Sequence, residues 1–352
     1  MDVKSLPVFE LTVEAFLSGH RIDVFLSRHF RNYTTWRLQR IAAAGGVTIN
    51  SVPVNEVTRV FEGQRVCVRL IEPPDKLLEP EPLTLPVLYE DHWIMVVNKP
   101  PDVVVHPVGT VQSGTLCNGV QYLLDQRTKY KGLLRPGIVH RLDRQTSGAI
   151  VVALTHVAHV GLSEAFETSR VSKTYLALVE GRIEKDQGVI DRSIGKLPTG
   201  RHVLMSCRPD ALQPKPAKTS YQVLERFADH TLVLCKPVTG RNHQIRVHLA
   251  HLGHPIVGDE FYERNGRVKP FHNKSEGNAS REVETGLPIR RHALHACQLS
   301  FSHPVTQRWM SHLAPLSGNF LATLRVLGSE QFSKSNSRSL PANEVLDGHE
   351  LE

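Results

Sequence analysis

The chain has 352 residues, 42 Lys+Arg against 35 Asp+Glu, a net charge of +7 and a pI near 9.2. That length accommodates two domains, and the basic balance favours a polyanionic partner over an acidic or neutral one. Cys67, Cys117, Cys207, Cys235 and Cys297 have neither metal nor disulfide-framework spacing, and no apolar run approaches the ~20 residues of a membrane span. Met1-Asp2-Val3-Lys4-Ser5 lacks a signal-peptide core, so the expectation is a cytoplasmic protein without a membrane partner.

Residues 1–19 read as an N-terminal extension and residues 20–72 as a compact module. Ile22, Phe25, Leu26 and His29 share a face at helical spacing. A second helix runs from Trp36 through Ala42 and stops at Gly45-Gly46. Val47-Thr48-Ile49-Asn50 and Arg65-Val66-Cys67-Val68-Arg69-Leu70 alternate as strands, with Glu62-Gly63 as a turn. Between 20 and 72 eight arginines face four acids. The order helix, helix, Gly-Gly, Val-x-Ile-Asn strand, Gly-x-x-Val resembles an S4 RNA-binding domain. That resemblance implies that arginines of the helix pair, Arg37 and Arg40 among them, lie on an RNA backbone. Trp36 departs from the family and reads as core packing first, with a base-stacking platform as the alternative.

Residues 73–86 form a Pro-rich, semi-extended linker. A second domain spans 87–328, opening with a strand from Trp93 to Lys99 that Pro100-Pro101 breaks. His140-Arg141-Leu142-Asp143-Arg144-Gln145-Thr146-Ser147-Gly148 then precedes the apolar strand Ala149–Leu154, with Thr146-Ser147-Gly148 as the turn. A carboxylate flanked by arginines reads, in isolation, as a neutralised loop residue. At the edge of a rigid strand it can equally be an ionised nucleophile or base.

A helix carrying Ala158, Leu162, Ala165 and Phe166 leads into the strand Ser172–Glu180, which puts Lys173, Tyr175, Ala177 and Val179 on one side. Taken alone, Tyr175 is a core residue. After the strand Thr231–Leu234 comes Thr239-Gly240-Arg241-Asn242-His243-Gln244-Ile245-Arg246, where Asn242 is placed to cap a helix that Gly253 ends. Arg246 lies off the apolar stripe of Ile245, Leu249 and Leu252, free to pair with a carboxylate. His243, His248, His251 and His254 do not form a convincing ligand set, so no metal is expected and hydrogen-bonding roles are preferred. Residues 263–290, with Arg264, Arg267, Lys269, Lys274 and Arg281, read as an insertion loop, solvated rather than RNA-binding. Residues 329–352 read as a disordered tail.

Taken in order, these segments resemble the RluA-type pseudouridine synthase family over about residues 20–328. The stretch His140–Gly148 fits H-R-L-D-x-x-T-S-G, and Lys173-x-Tyr175 fits a second motif. Gly240–His248 fits G-R-T-H-Q-I-R-x-H with Asn242 in place of Thr, continuing to Gly253-His254-Pro255-Ile256-x-Gly258-Asp259. Arg290–Ala296 matches a closing strand. The resemblance implies an α+β fold: a mixed, largely antiparallel central sheet with flanking helices, preceded by the small S4-like α/β module.

It also implies isomerisation of uridine in RNA to pseudouridine without a cofactor. Asp143 would be the essential carboxylate, Arg246 its partner, and Tyr175 the group that holds the detached uracil and assists removal of its C5 proton. Arg141 would fill the stack vacated by a flipped uridine, with His140, Arg241, His243 and Gln244 as neighbouring RNA contacts. Large-subunit ribosomal RNA is the expected substrate and transfer RNA the alternative, with the protein acting as a monomer. A ribosome-assembly factor that binds RNA without chemistry is the rival reading. The presence of all three groups at matching positions argues against it. A hydrolase is disfavoured because no second carboxylate accompanies Asp143 in any motif.

Overall fold

The computed structural model describes residues 8–70, 78–126, 136–197, 204–269, 285–329 and Phe332. The N-terminal module is a four-stranded antiparallel sheet under two helices. Its elements are β1 (Val8–Thr12), α1 (Ile22–His29), α2 (Thr35–Ala43), β2 (Val47–Ile49), β3 (Val52–Pro53) and β4 (Arg65–Arg69), in sheet order β1-β4-β2-β3. Ile22, Phe25, Leu26, Leu38 and Ile41 close onto Val47, Val66 and Val68 in one buried cluster. Helix spacing on one side and strand alternation on the other thus meet in a single core.

The expected extension 1–19 is corrected by this sheet. Val8–Thr12 pairs in full register with Arg69–Arg65, and Val13 and Leu17 are buried in the module's core. The alternating pattern of Val8-Phe9-Glu10-Leu11-Thr12 fits a half-buried edge strand whose partner lies far along the chain. Trp36 is also corrected: it is 62% exposed and takes no part in the core.

The second domain contains β5 (Val87–Glu90), β6 (Ile94–Lys99), α3 (Leu116–Asp125), β7 (Gly137–Ile138), β8 (Ser147–Ala153), α4 (His156–Glu167), β9 (Ser172–Glu180) and β10 (Gln187–Asp191). It continues with β11 (Ile194–Lys196), β12 (Met205–Ser206), β13 (Leu212–Lys215), β14 (Lys218–Arg226), β15 (His230–Pro237), α5 (Gln244–His251), β16 (Leu294–Ser302), β17 (Trp309–Leu313) and α6 (Gly318–Val326). The large sheet runs β10-β14-β15-β9-β16-β8-β6-β5, with β17 beside β16 and β7 beside β8, while β11, β12 and β13 form a small sheet apart. Only the β8–β16 pairing is parallel among the described strands. The architecture is therefore α+β with a largely antiparallel central sheet, as the sequence predicts.

All seven residues of β8 are buried, since clusters pack on both faces of the sheet. A strand covered on both sides carries an apolar run instead of an alternation. Gly148 lies inside β8 rather than in a turn, which corrects the expected Thr146–Gly148 turn. The turn is one residue-pair earlier, closed by the Thr146 N–H donating to the Asp143 carbonyl at 3.0 Å. Gly148 has φ +117° and faces Ala296 of β16, where a Cβ would approach the Ala296 nitrogen to 2.6 Å. Glycine is required because the backbone of the paired strand β16 comes too close for a Cβ, not because the chain reverses.

Three further boundaries differ from expectation. The later part of the 73–86 linker belongs to the domain: Asn118 donates to the Glu79 carbonyl at 2.7 Å, and Leu83 and Leu85 pack against Gly119 of α3. The flanks of the 263–290 insertion are docked rather than solvated, because Lys269 Nζ donates to the Asp259 carbonyl at 2.7 Å and Ile289 is buried in the main core. Lys274 and Arg281 lie outside the described residues. The tail begins later than 329, since Ser329 is buried and Phe332 fills the main core. The two units touch through His156 at the start of α4, with Arg31 Nη2 3.4 Å from its Nδ1 and the His29 and Phe16 rings packed beside it.

Candidate active site

Asp143 sits in the loop before β8 and Arg246 near the start of α5, so sequence positions 103 apart meet only because both elements end at the same rim of the sheet. Arg246 Nη1 donates to Asp143 Oδ2 at 2.9 Å. On its other side the guanidinium donates through Nε and Nη2 to Asp259, at 2.7 and 2.9 Å. Asp259 Oδ1 also accepts from the Phe261 and Tyr262 backbone N–H groups, and the aromatic rings of those residues flank the guanidinium. Such a two-point grip fixes a planar cation in one orientation and aims its remaining N–H.

The charges follow from this arrangement. Burial pushes the Asp143 carboxyl up, but His243, Arg246 and His292, with the hydrogen bond from Arg246, hold it well below the usual carboxylate range. Burial lowers His243 to about 4 and holds His292 well below the ordinary imidazole value, whereas the facing carboxylates of Asp259 and Asp143 keep Arg246 charged despite its burial. Asp259 is likewise drawn down, to about 2, because Arg246 outweighs burial. Asp143 is 19% exposed against 3% for Arg246, so the carboxylate reaches the cavity and the cation stands behind it. Among the described residues no hydrogen bond occupies Asp143 Oδ1, leaving that oxygen for a substrate.

The cavity has a volume of about 690 Å³, and Arg141, Asp143, Tyr175, Arg241, His243 and Arg246 all line it. Tyr175 projects from β9, partly buried between two core clusters. Burial, with the Asp143 charge, raises its phenol, so it is a neutral face and hydrogen-bond donor. This revises the expectation that Tyr175 assists removal of a carbon-bound proton, since a base there would need the phenolate. Arg141 is exposed at the cavity mouth beside buried Leu142.

Other expected contacts are engaged within the fold. His140 Nε2 accepts the Val151 N–H at 3.0 Å and its ring stacks on Phe166 with centroids 4.3 Å apart, so it anchors the loop that bears Asp143 to β8 and α4. Gln244 accepts from the Thr239 hydroxyl and the Arg241 N–H, and donates to the Lys218 carbonyl and Thr219. That loop-closing role replaces the capping expected of Asn242: α5 begins at Gln244, after His243 in the left-handed conformation at φ 54°. His243 Nδ1 lies 2.7 Å from the Tyr262 hydroxyl, His248 bonds Thr219 and the Arg192 carbonyl, and His254 meets the Glu180 carbonyl. These histidines face separate partners. Arg37 and Arg40 lie on α2 of the N-terminal module and do not line the cavity.

Sequence reasoning assigned no role to Asp259, Lys99 and Arg291. Lys99 is fully buried, donating to the Pro100, Val103 and Arg144 carbonyls at 2.8, 2.9 and 3.0 Å. Arg291 donates to the neighbouring Gln145 carbonyl at 2.8 Å. Two buried basic side chains thereby hold consecutive carbonyls just after Asp143. A usable signal existed: Asp259 closes the Gly-His-Pro-Ile-x-Gly-Asp segment, and a motif carboxylate near an unpaired motif arginine is a natural partner.

Residues 93–251 match the family model described as RNA pseudouridylate synthase. The chain is 36% identical to the ribosomal large subunit pseudouridine synthase D of Pasteurella multocida, over 91% of this chain and 95% of that one. It is 35% identical to an uncharacterized RNA pseudouridine synthase of Bacillus subtilis, over 87% and 94%. Among solved structures, human RNA pseudouridylate synthase domain containing 4 superposes with a TM-score of 0.53 at 27% identity, covering 69% of this chain and 93% of that one.

Proposed function

Because the chain belongs to the RNA pseudouridylate synthase family, we propose that it isomerises uridines of large-subunit ribosomal RNA through Asp143. The N1–C1′ bond breaks, the uracil turns over, and a C5–C1′ bond forms. The C5 proton is lost to water and N1 takes one up, so the composition of the RNA is unchanged.

The observation that carries this reading is the Asp259–Arg246–Asp143 chain opening onto a cavity walled by Tyr175. Arg246 keeps Asp143 ionised, and the Asp143 oxygen without a hydrogen bond meets the flipped nucleoside as nucleophile or as base toward a sugar proton. Asp259 does not revive a hydrolase, since both its oxygens are committed to Arg246 and one also to backbone N–H groups. The neutral Tyr175 phenol holds the detached uracil in place. Flipping the base out of a helix costs a few kcal/mol, and Arg141 at the cavity mouth offsets it by filling the vacated stack. Lys99, Arg291 and His140 keep the loop from yielding.

The N-terminal module supplies nonspecific phosphate contacts, and the protein acts as a monomer in the cytoplasm. The choice of ribosomal RNA rests on the named activity of the Pasteurella multocida relative. The test is to map pseudouridines in total RNA from cells with and without this protein, and in deproteinised RNA treated with it. Sites in large-subunit ribosomal RNA that vanish without the protein and return on treatment support the reading. An unchanged map refutes it, and loss confined to transfer RNA refutes the substrate.

A further inference from the structure

Trp36 occupies the first turn of α2, a helix started by the Thr34 hydroxyl accepting the Arg37 N–H at 3.4 Å. The opposite face of that helix buries Leu38, Ile41 and Ala42. Trp36 is 62% exposed, and the guanidinium of Arg40, one turn on, lies over its ring at 4.7 Å. An indole left in water forgoes the burial that makes large aromatic side chains useful to a fold. The helix pair that carries it is strongly basic. Residues 21–44 hold Arg21, Arg28, Arg31, Arg37 and Arg40 against the single acid Asp23. Asp23 is buried and already takes Arg21 at 2.8 Å and Gln39 at 2.6 Å.

We propose that Trp36 and Arg40 form a stacking platform for an unpaired RNA base. The inference rests on the RNA reading above and adds a site for a second nucleotide, separate from the target uridine. Only an unpaired base fits, because a base within a duplex has both faces covered by its neighbours. The site is coupled to the cavity through α4. That helix holds the N-terminal module at His156 and stacks Phe166 on His140 at its other end, roughly 15 Å away along the axis at the usual helical rise. RNA that presents an unpaired nucleotide at the platform is thereby held in register with the uridine entering the cavity.

The test is equilibrium binding of the full chain and its Trp36→Ala and Trp36→Phe variants to two probes, read at several salt concentrations. One probe is single-stranded oligoadenylate, which stacks well and offers no uridine to the cavity; the other is a fully paired RNA duplex of the same length. Trp36→Ala should weaken oligoadenylate binding by about 5- to 100-fold, the range of one base-on-aromatic stack. Duplex binding and the salt slope should stay as they were, and Trp36→Phe should keep most of the affinity. Loss of affinity within twofold, or an equal loss for both probes, overturns the platform and leaves Trp36 as a surface for a protein partner. Product formation by the unaltered protein on ribosomal RNA is scored separately. Its failure would remove the enzymatic reading while leaving the binding result to stand on its own.

Discussion

Arg246→Gln takes the guanidinium away from two carboxylates at once. Arg246 meets Asp259 at 2.7 and 2.9 Å and Asp143 at 2.9 Å. Burial raises both carboxyls, and the cation is what keeps them ionised near neutral pH. Removing one member of a buried ion pair typically destabilises by about 3–5 kcal/mol, because the partner is left charged and unpaired. The carboxyls escape that penalty by taking up protons, and each pKa unit gained is worth about 1.36 kcal/mol.

The sign of the pH effect follows. In the unaltered protein Asp143 lies below the usual carboxylate range, so a rate that needs its charge persists across the neutral range and fails only in strong acid. In the variant that failure moves up toward neutrality. Single-turnover release of tritium from 5-tritiated uridine in saturating RNA, from about pH 5 to about pH 9, reads the shift in protonation directly. The rate near neutral pH should fall by about 100-fold or more, since misplacement of a reacting group by an ångström has that effect. Adding Asp259→Asn should recover stability in urea unfolding, because the orphaned carboxylate is gone, without recovering the rate. A folded Arg246→Gln protein with the original rate and pH profile would refute the reasoning.

Gly148→Ala should destabilise the protein by about 3 kcal/mol or more, because the positive φ and the approach to Ala296 penalise a Cβ together; urea unfolding checks it, and a loss within experimental error contradicts the close-approach account. Arg37→Ser with Arg40→Ser should lower the log–log salt slope of RNA binding by about two units while leaving the single-turnover rate at saturating RNA unchanged. Burial and then Arg291 lower Lys99 from 10.5 to about 7. Over that interval the unfolded chain binds a proton that the folded one releases, so Lys99 makes stability rise with pH. Lys99→Met should flatten this rise in melts compared between about pH 7 and about pH 10, and an unchanged slope would show that Lys99 keeps an ordinary pKa.

What was legible in the sequence was local or carried by contiguous motifs. The spacing of Ile22, Phe25 and Leu26 and the Gly-Gly stop gave α1 and α2, and the unbroken apolar run at 149–154 gave a doubly covered strand. Asp143, Tyr175 and Arg246 were singled out from three separated motifs, and the fold brings them to one cavity. What was missed depends on partners distant in the chain. The pairing of Val8–Thr12 with Arg65–Arg69 leaves no local signature beyond a short alternation. The reason for Gly148 is Ala296, far downstream, and the role of Gln244 as a loop closer depends on Lys218 and Thr219. Trp36 reads as core packing in the sequence, yet it is 62% exposed, with the Arg40 guanidinium over its ring.

The central claim is that the Asp143 carboxylate carries the chemistry, and Asp143→Asn isolates it. The amide keeps the size of the side chain and can still accept from Arg246 through its oxygen. It cannot act as a charged nucleophile or base. Tritium release from 5-tritiated uridine in large-subunit ribosomal RNA should fall to background, while thermal unfolding and RNA affinity remain close to those of the unaltered protein. Near-normal release by the folded Asp143→Asn protein would contradict the account.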